Sequence, residues 1–320
     1  MRYLDPKNDL TFKKIFGEHP NLLISFLNGV LPLGEDQQIE TIEYLPVELT
    51  PVVPLFKYSI VDVRCKDSNG RQFIVEMQML WTDSFQNRVL FNASKAFIKQ
   101  LEKGKQYDLL QPVYALSLVN ENYITNSDKY YHHYKIVTIE EPHLQMEGLE
   151  FIFVELPKVK AQSLKEKALG VLWLRFMTEV DNFMQQISKD FLDNPEISQA
   201  LELLKESAYT KEELEAYDRY WDSVRVEKAF ISDSLKKGFK QGLEKGVLEG
   251  KIEGKIEGKI EGKIEGKIEG KIEGKIEGKI EGKIEGKIEI AQNLLTLGLT
   301  LPQISQATGL TESEIEKLKA

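Results

Sequence analysis

The sequence predicts an α/β domain built on a mixed sheet, continued by helices, a repeat and a small terminal helical motif. Three observations predict it. Apolar residues alternate between helix-like and strand-like spacing over residues 1–160, the pattern turns helical beyond Ala161, and a tetrapeptide repeat occupies 250–289. With 320 residues, 42% of them hydrophobic and 29% charged, the chain can bury one or two cores and is too apolar for wholesale disorder. Its single cysteine, Cys65, excludes an intrachain disulfide. No run of about 18 apolar residues exists to span a bilayer. The opening MRYLDPKNDLTFKK lacks the basic start, apolar middle and small-residue cleavage site of a secretory signal. The expectation is a reduced, cytoplasmic protein with no membrane-embedded part.

The elements follow in order. Leu10 to Val30 carries apolar residues at near-helical spacing, and His19-Pro20 divides it into two helices. Ile39 to Leu49, Tyr58 to Cys65 and Arg71 to Met79 read as strands. Phe85 to Glu102 reads as a helix ending near Gly104. Pro112 to Val119 is a continuous apolar run, as a strand buried on both faces requires, and Tyr134 to Ile139 and Glu150 to Leu156 are further strands. Helices are expected over Leu164 to Phe176, Asp181 to Phe191, Ile197 to Glu206 and Lys211 to Ser234. The resulting division is an α/β domain over 1–160, a helical region over 161–249, a spacer over 250–289 and a three-helix motif over 290–320.

Charge narrows the function. The net charge is −9, and residues 1–249 hold 30 basic against 38 acidic side chains, so bulk attraction to nucleic acid is excluded. Any contact with DNA must be local.

The chemistry-bearing residues lie on two strands around Gly70. By the period of two, Ile60, Asp62 and Arg64 share one face of the first strand, and Val61, Val63 and Cys65 the other. On the second strand Ile74, Glu76 and Gln78 share a face, opposite Phe73, Val75, Met77 and Met79. A three-residue loop, Ser68-Asn69-Gly70 with Gly70 left-handed, sets Asp67 opposite Arg71 and hence Asp62 opposite Glu76. A two-residue Asn-Gly loop would move the register by one and send the carboxylates to opposite faces. The longer loop is favoured because it alone gathers the core-seeking residues on one side. Directly opposed side chains have Cβ atoms about 4.5–5.5 Å apart. Carboxylates that close raise each other's pKa unless a cation lies between them, and hard oxygen donors suit Mg²⁺ or Mn²⁺.

Asp62, then Glu76-Met77-Gln78 on the next strand, after a helix beginning Asp9-Leu10-Thr11-Phe12-Lys13-Lys14-Ile15-Phe16-Gly17, resembles the PD-(D/E)XK nuclease superfamily. The closer likeness is to its Rpn branch of recombination-promoting nucleases and transposases, and it covers roughly residues 1–250. The segment NRVLFNASKAFIKQLEKGKQYDLLQPVYALSLV, with its Gly104-to-Tyr107 turn, is similar to that family's post-motif helix and strand. The resemblance implies a restriction-endonuclease-like core and Mg²⁺-dependent hydrolysis of DNA phosphodiesters. It places Asp62 and Glu76 as metal ligands, puts Gln78 where the superfamily more often has lysine, and gives Asp9 and Lys13 auxiliary roles. An amide supplies hydrogen bonds but no charge.

Plainer readings stand beside these. An Asp and a Glu on adjacent strands are commonly the solvated face of an amphipathic hairpin. His132 and His133, with His19 and His143, lack ligands at metal spacing and read as surface histidines in a Tyr-rich loop. Lys95, Lys99 and Lys103 form one helical stripe, either a phosphate contact or a solvated face. Trp173 and Trp221 read as core.

From Gly250 to Glu289 the unit Gly-Lys-Ile-Glu recurs ten times. On a 3.6-residue helix each unit advances by about 40°, so the isoleucine seam winds right-handedly. Glycine costs about 1 kcal/mol per residue against alanine, and residues four apart are always alike, so Lys neighbours Lys and Glu neighbours Glu. The expectation is a spacer that is helical when oligomerised and frayed when isolated, which strong helical circular dichroism from a dilute monomeric array would refute. Ile290–Leu297, Leu301–Ala307 and Glu312–Leu318 read as three short helices turning at Gly298 and Gly309, with a capping box at Thr311 to Glu314. LPQISQATGLTESEIEKL looks like a small helix-turn-helix that is poor in cations.

With the resemblance, the expected function is that of a Mg²⁺- (or Mn²⁺-) dependent DNA endonuclease tied to recombination or transposition. Its partner would be DNA, and homo-oligomers would form through the spacer and terminal helices. The alternative is a nuclease-fold protein that binds DNA or a protein without cutting.

Overall fold

The structure is a computed structural model and describes residues 2–49, 59–101, 104–159, 169–184 and 186–318. It divides into two compact units, residues 1–232 and 233–320.

The first unit opens with helices α1 (Asp9–Phe16) and α2 (Pro20–Val30). The Asn8 side chain caps α1 by accepting from the Leu10 N–H, and Pro20 occupies the first turn of α2, where its missing N–H costs nothing. The division at His19-Pro20 is the expected one.

A six-stranded sheet follows, in the order β1 (Ile42–Tyr44), β4 (Val63–Asp67), β5 (Gln72–Gln78), β6 (Val113–Val119), β8 (Gln145–Glu155) and β7 (Tyr131–Val137). The central strands β5, β6 and β8 run parallel, and the outer pairings are antiparallel. All seven residues of β6 are buried, which accounts for its unbroken apolar run. Helix α3 (Asp83–Ile98) connects β5 to β6 across one face. A separate two-stranded ladder joins β2 (Glu48–Leu49) to β3 (Ser59–Ile60).

Two expected strands are each split between these sheets. The run Ile39 to Leu49 becomes β1 and β2, interrupted at Pro46, which has no N–H to give a ladder. Within Tyr58 to Cys65 the chain leaves β3 and enters β4 through a bend at Asp62, while Tyr58 itself lies outside the described residues. Because the strand is broken there, Val61 does not share a face with Val63. It packs under α3 with Ile74, whereas Val63 and Cys65 join the opposite core.

The larger core sits on the sheet face away from α3. There Val63, Cys65, Phe73 and Val75 meet Phe12, Phe16 and Phe26 of α1 and α2, together with Trp173 of α4 (Leu169–Glu179). Trp173 is fully buried, donates its indole N–H to Ser25 Oγ at 3.0 Å, and is core as expected. Trp221 packs at the margin of the same cluster. The later helices therefore share the sheet's core. They are α5 (Lys189–Asp193), α6 (Pro195–Leu203) and the start of α7 (Lys211–Thr296), whose Tyr217 is buried. The expected helix over Asp181 to Phe191 shrinks to α5, because the Asp181 carboxylate accepts the Phe183 N–H and holds a turn instead.

In the second unit the whole Gly-Lys-Ile-Glu array lies within α7 and is α-helical from end to end. Helices α8 (Leu301–Thr308) and α9 (Glu312–Lys317) follow turns at Gly298 (φ +82°) and Gly309 (φ +69°). Capping boxes at Thr300/Gln303 and Thr311/Glu314 start them, and Ala291, Ile304 and Ile315 form their small core.

Candidate functional site

The β4–β5 hairpin carries the three-residue loop. Gly70 has φ +82°, its N–H donates to Asp67 O, and the Asp67 N–H donates to Arg71 O at 3.0 Å. Val63 pairs with Val75, so the register continued by one residue sets Asp62 against Glu76, just beyond the end of the ladder. Asp62 thus comes from a bend and not from a strand. Its Oδ2 accepts the Met77 N–H at 2.7 Å, which anchors the bend to β5.

Asp62, Glu76 and Gln78 line one cavity of about 680 Å³, with Arg88 and Asn87 of α3 on its wall. Glu76 is buried, and its Oε1 accepts from Asn92 Nδ2 at 2.9 Å. Gln78 Oε1 accepts from Arg88 Nη2 at 2.7 Å, and the same nitrogen lies 3.9 Å from Glu76 Oε2. The Arg88 guanidinium also lies 4.8 Å from the Phe85 ring centroid, which limits its rotation. A cation therefore reaches the site from α3, on a neighbouring element, although position 78 itself is an amide.

Burial pushes Glu76 up to about 7; the Asn92 hydrogen bond opposes this, the Asp62 charge adds to it and Arg88 opposes it. Burial likewise pushes Asp62 up to about 6, opposed by the Met77 N–H, raised by Asp9 and lowered by Lys13 and Arg88. The auxiliary pair is thus within electrostatic reach of Asp62. Asp9 and Lys13 form an ion pair of 2.7 Å across one turn of α1, partly exposed. Tyr220 of α7 is also held above its usual value, first by burial and then by Asp9 and Asp62.

Among the described residues no group of three or more His, Cys, Asp and Glu side chains gathers at metal-binding spacing. The fit to an ion rests on donor chemistry. Two carboxylates of hard oxygen, each costly to ionise without a cation, open on a cavity large enough for waters. That set suits a partly hydrated Mg²⁺ or Mn²⁺.

Arg88, Asn92 and Tyr220 have no counterpart in the hairpin reading. Arg88 and Asn92 stand four apart on one helix, a spacing that marks a shared face but not which strand it covers. Two of the histidines differ from expectation. His132 and His133 are partly buried and bonded to Glu155 (2.8 Å) and Glu150 (2.6 Å), because both partners project from the paired strand β8. Lys95 is partly buried and not a plainly solvated face: its Nζ donates to Leu49 O at 2.6 Å and to Ser59 Oγ. Lys103 lies outside the described residues.

A mixed sheet that sets a buried Glu76 beside a partly buried Asp62, opening on a cleft walled by an arginine-bearing helix, defines a nuclease-type architecture. Residues 6–233 match the family described as PD-(D/E)XK nuclease family transposase, and the chain belongs to that family. Residues 285–320 match the C-terminal helix-turn-helix domain of the Rpn/YhgA-like nuclease family. No curated protein and no solved structure matches the chain. The family supports a nuclease role, and no helix among the described residues is long and apolar enough to cross a membrane.

Proposed function

We propose that the protein is a Mg²⁺- or Mn²⁺-dependent DNA endonuclease acting in recombination or transposition, in the cytoplasm. The observation that supports this reading best is the convergence of Asp62, Glu76 and the Arg88–Gln78 pair on one cavity. In it, Asp62 and Glu76 hold the ion, which when bound lowers the pKa of water and neutralises charge on the phosphate. Met77 N–H and Asn92 fix the two carboxylates in place. Arg88, steered by the Gln78 carbonyl oxygen, faces the negative charge that grows on the scissile phosphate, a task a lysine at position 78 would otherwise perform. Asp9 and Lys13 serve at the margin, Lys13 toward a flanking phosphate. We infer four functional divisions: the nuclease-like domain over 1–160, the helical region over 161–249, the spacer over 250–289 and the three-helix motif over 290–320.

Nicking of supercoiled plasmid, with each metal and with chelator, tests this. Asp62→Ala and Glu76→Ala are expected to abolish metal-dependent nicking without unfolding the chain. Undiminished cleavage by both would place the active site elsewhere. A second reading, binding without cutting, is favoured by the amide at Gln78 and the acidic surplus of residues 1–249. DNA binding with no nicking under any metal would select it.

A further inference from the structure

We propose that the array is a self-association surface, through which two copies of the chain pair side by side and parallel along the isoleucine stripe. Nine isoleucines, Ile252 and every fourth residue to Ile284, are each 48–54% exposed. Leu235, Phe239 and Leu243 upstream on the same helix are more exposed still. A surface of this kind along one helix has lost nothing to burial and gains by acquiring a partner.

The charges identify that partner. At 100° per residue, Lys lies about 100° to one side of each Ile and Glu about 100° to the other, so the apolar stripe has one cationic and one anionic flank. Glycine takes the far side. Within the chain these charges find little: Lys and Glu stand two or six residues apart, and no ion pair joins them among the described residues of the array. The nearest intrahelical pair, Lys245–Glu249, lies just before the array. A polyanion such as DNA would meet ten Glu alongside ten Lys, whereas a second copy offers a stripe complementary at every unit.

Orientation follows from symmetry. In a parallel pair the left flank of one helix faces the right flank of the other, so Lys meets Glu throughout. In an antiparallel pair like flanks meet, and Lys would face Lys. Because the stripe advances by about 40° per unit, the two helices must wrap right-handedly to keep it shared.

Full-length protein carrying Ile252→Cys is treated with a short bis-maleimide, with unmodified protein as the control for Cys65. Covalent dimer from Ile252→Cys alone is expected. Dimer formed only when Ile252→Cys and Ile284→Cys chains are mixed would overturn the parallel arrangement. In sedimentation, replacing all ten array lysines with glutamate is expected to weaken association by about 100-fold or more, through like charges set against each other. Mixing that chain with one whose ten array glutamates are replaced by lysine is expected to restore it. A monomeric wild-type chain at tens of micromolar, or a Lys-to-Glu chain of unchanged mass, would overturn the proposal.

Discussion

Arg88→Ala removes the cation from the cavity wall and tests the chemistry most directly. The side chain is 47% exposed, so its loss is expected to change folding stability by less than about 1 kcal/mol. In the proposed role its loss weighs more heavily on rate. Deleting one donor aimed at developing negative charge typically costs 10²–10³-fold in rate, about 2.7–4 kcal/mol. A second consequence has a defined sign. Arg88 lowers the pKa of both Asp62 and Glu76, so without it both acids ionise at higher pH. The rising limb of nicking against pH should therefore move in the alkaline direction. The assay is initial nicking rate from pH 5.5 to 9 at saturating Mn²⁺, beside a thermal melt. Arg88→Lys keeps the charge but not the geometry of the 2.7 Å bond to Gln78, and is expected to recover only part of the rate. An Arg88→Ala enzyme as fast as wild type, with an unmoved profile, would refute the assignment.

Other outcomes follow from the same structure. Because burial holds Glu76 up to about 7, its contribution to stability is present at low pH and lost as pH rises through that value. Metal-free Glu76→Gln should then melt higher than wild type at pH 8 and no higher at pH 5, and Mg²⁺ should stabilise only the wild type. A melting difference independent of pH would contradict this. Gly170→Ala places a Cβ 2.0 Å from Gly29 O where α2 and α4 cross, and should destabilise by about 3 kcal/mol or more in chemical denaturation. Glu155, fully buried, accepts from the Tyr123 N–H and from Lys158 Nζ and is bonded to His132, so Glu155→Ala should cost about 3–5 kcal/mol and speed hydrogen exchange at the Tyr123 and Ile124 amides. Unchanged exchange there would show that this network does not hold the loop.

Much of the site was legible in local sequence. The loop Ser68-Asn69-Gly70 determined the hairpin register, because only a residue free to adopt positive φ closes a three-residue turn, and with it the opposition of Asp62 and Glu76. Pro20, Gly298, Gly309 and the Thr311/Glu314 capping box determined helix ends because their effects are confined to one turn of chain. Periodicity also identified β6 as buried and Trp173 as core.

Tertiary structure decided the rest. Whether Val61 follows Val63 depended on a second sheet pulling β3 away, through a Val61 N–H donated to Val47 O. That Gln78 is joined by Arg88 and that Asn92 holds Glu76 depended on how α3 folds back over the strand before it, and that Tyr220 feels Asp62 depended on a helix far along the chain closing over the same end of the sheet. Short-range rules carry the backbone's turns and periods. Which side chain completes a charged cleft is set by the packing of whole elements, and no local pattern encodes it.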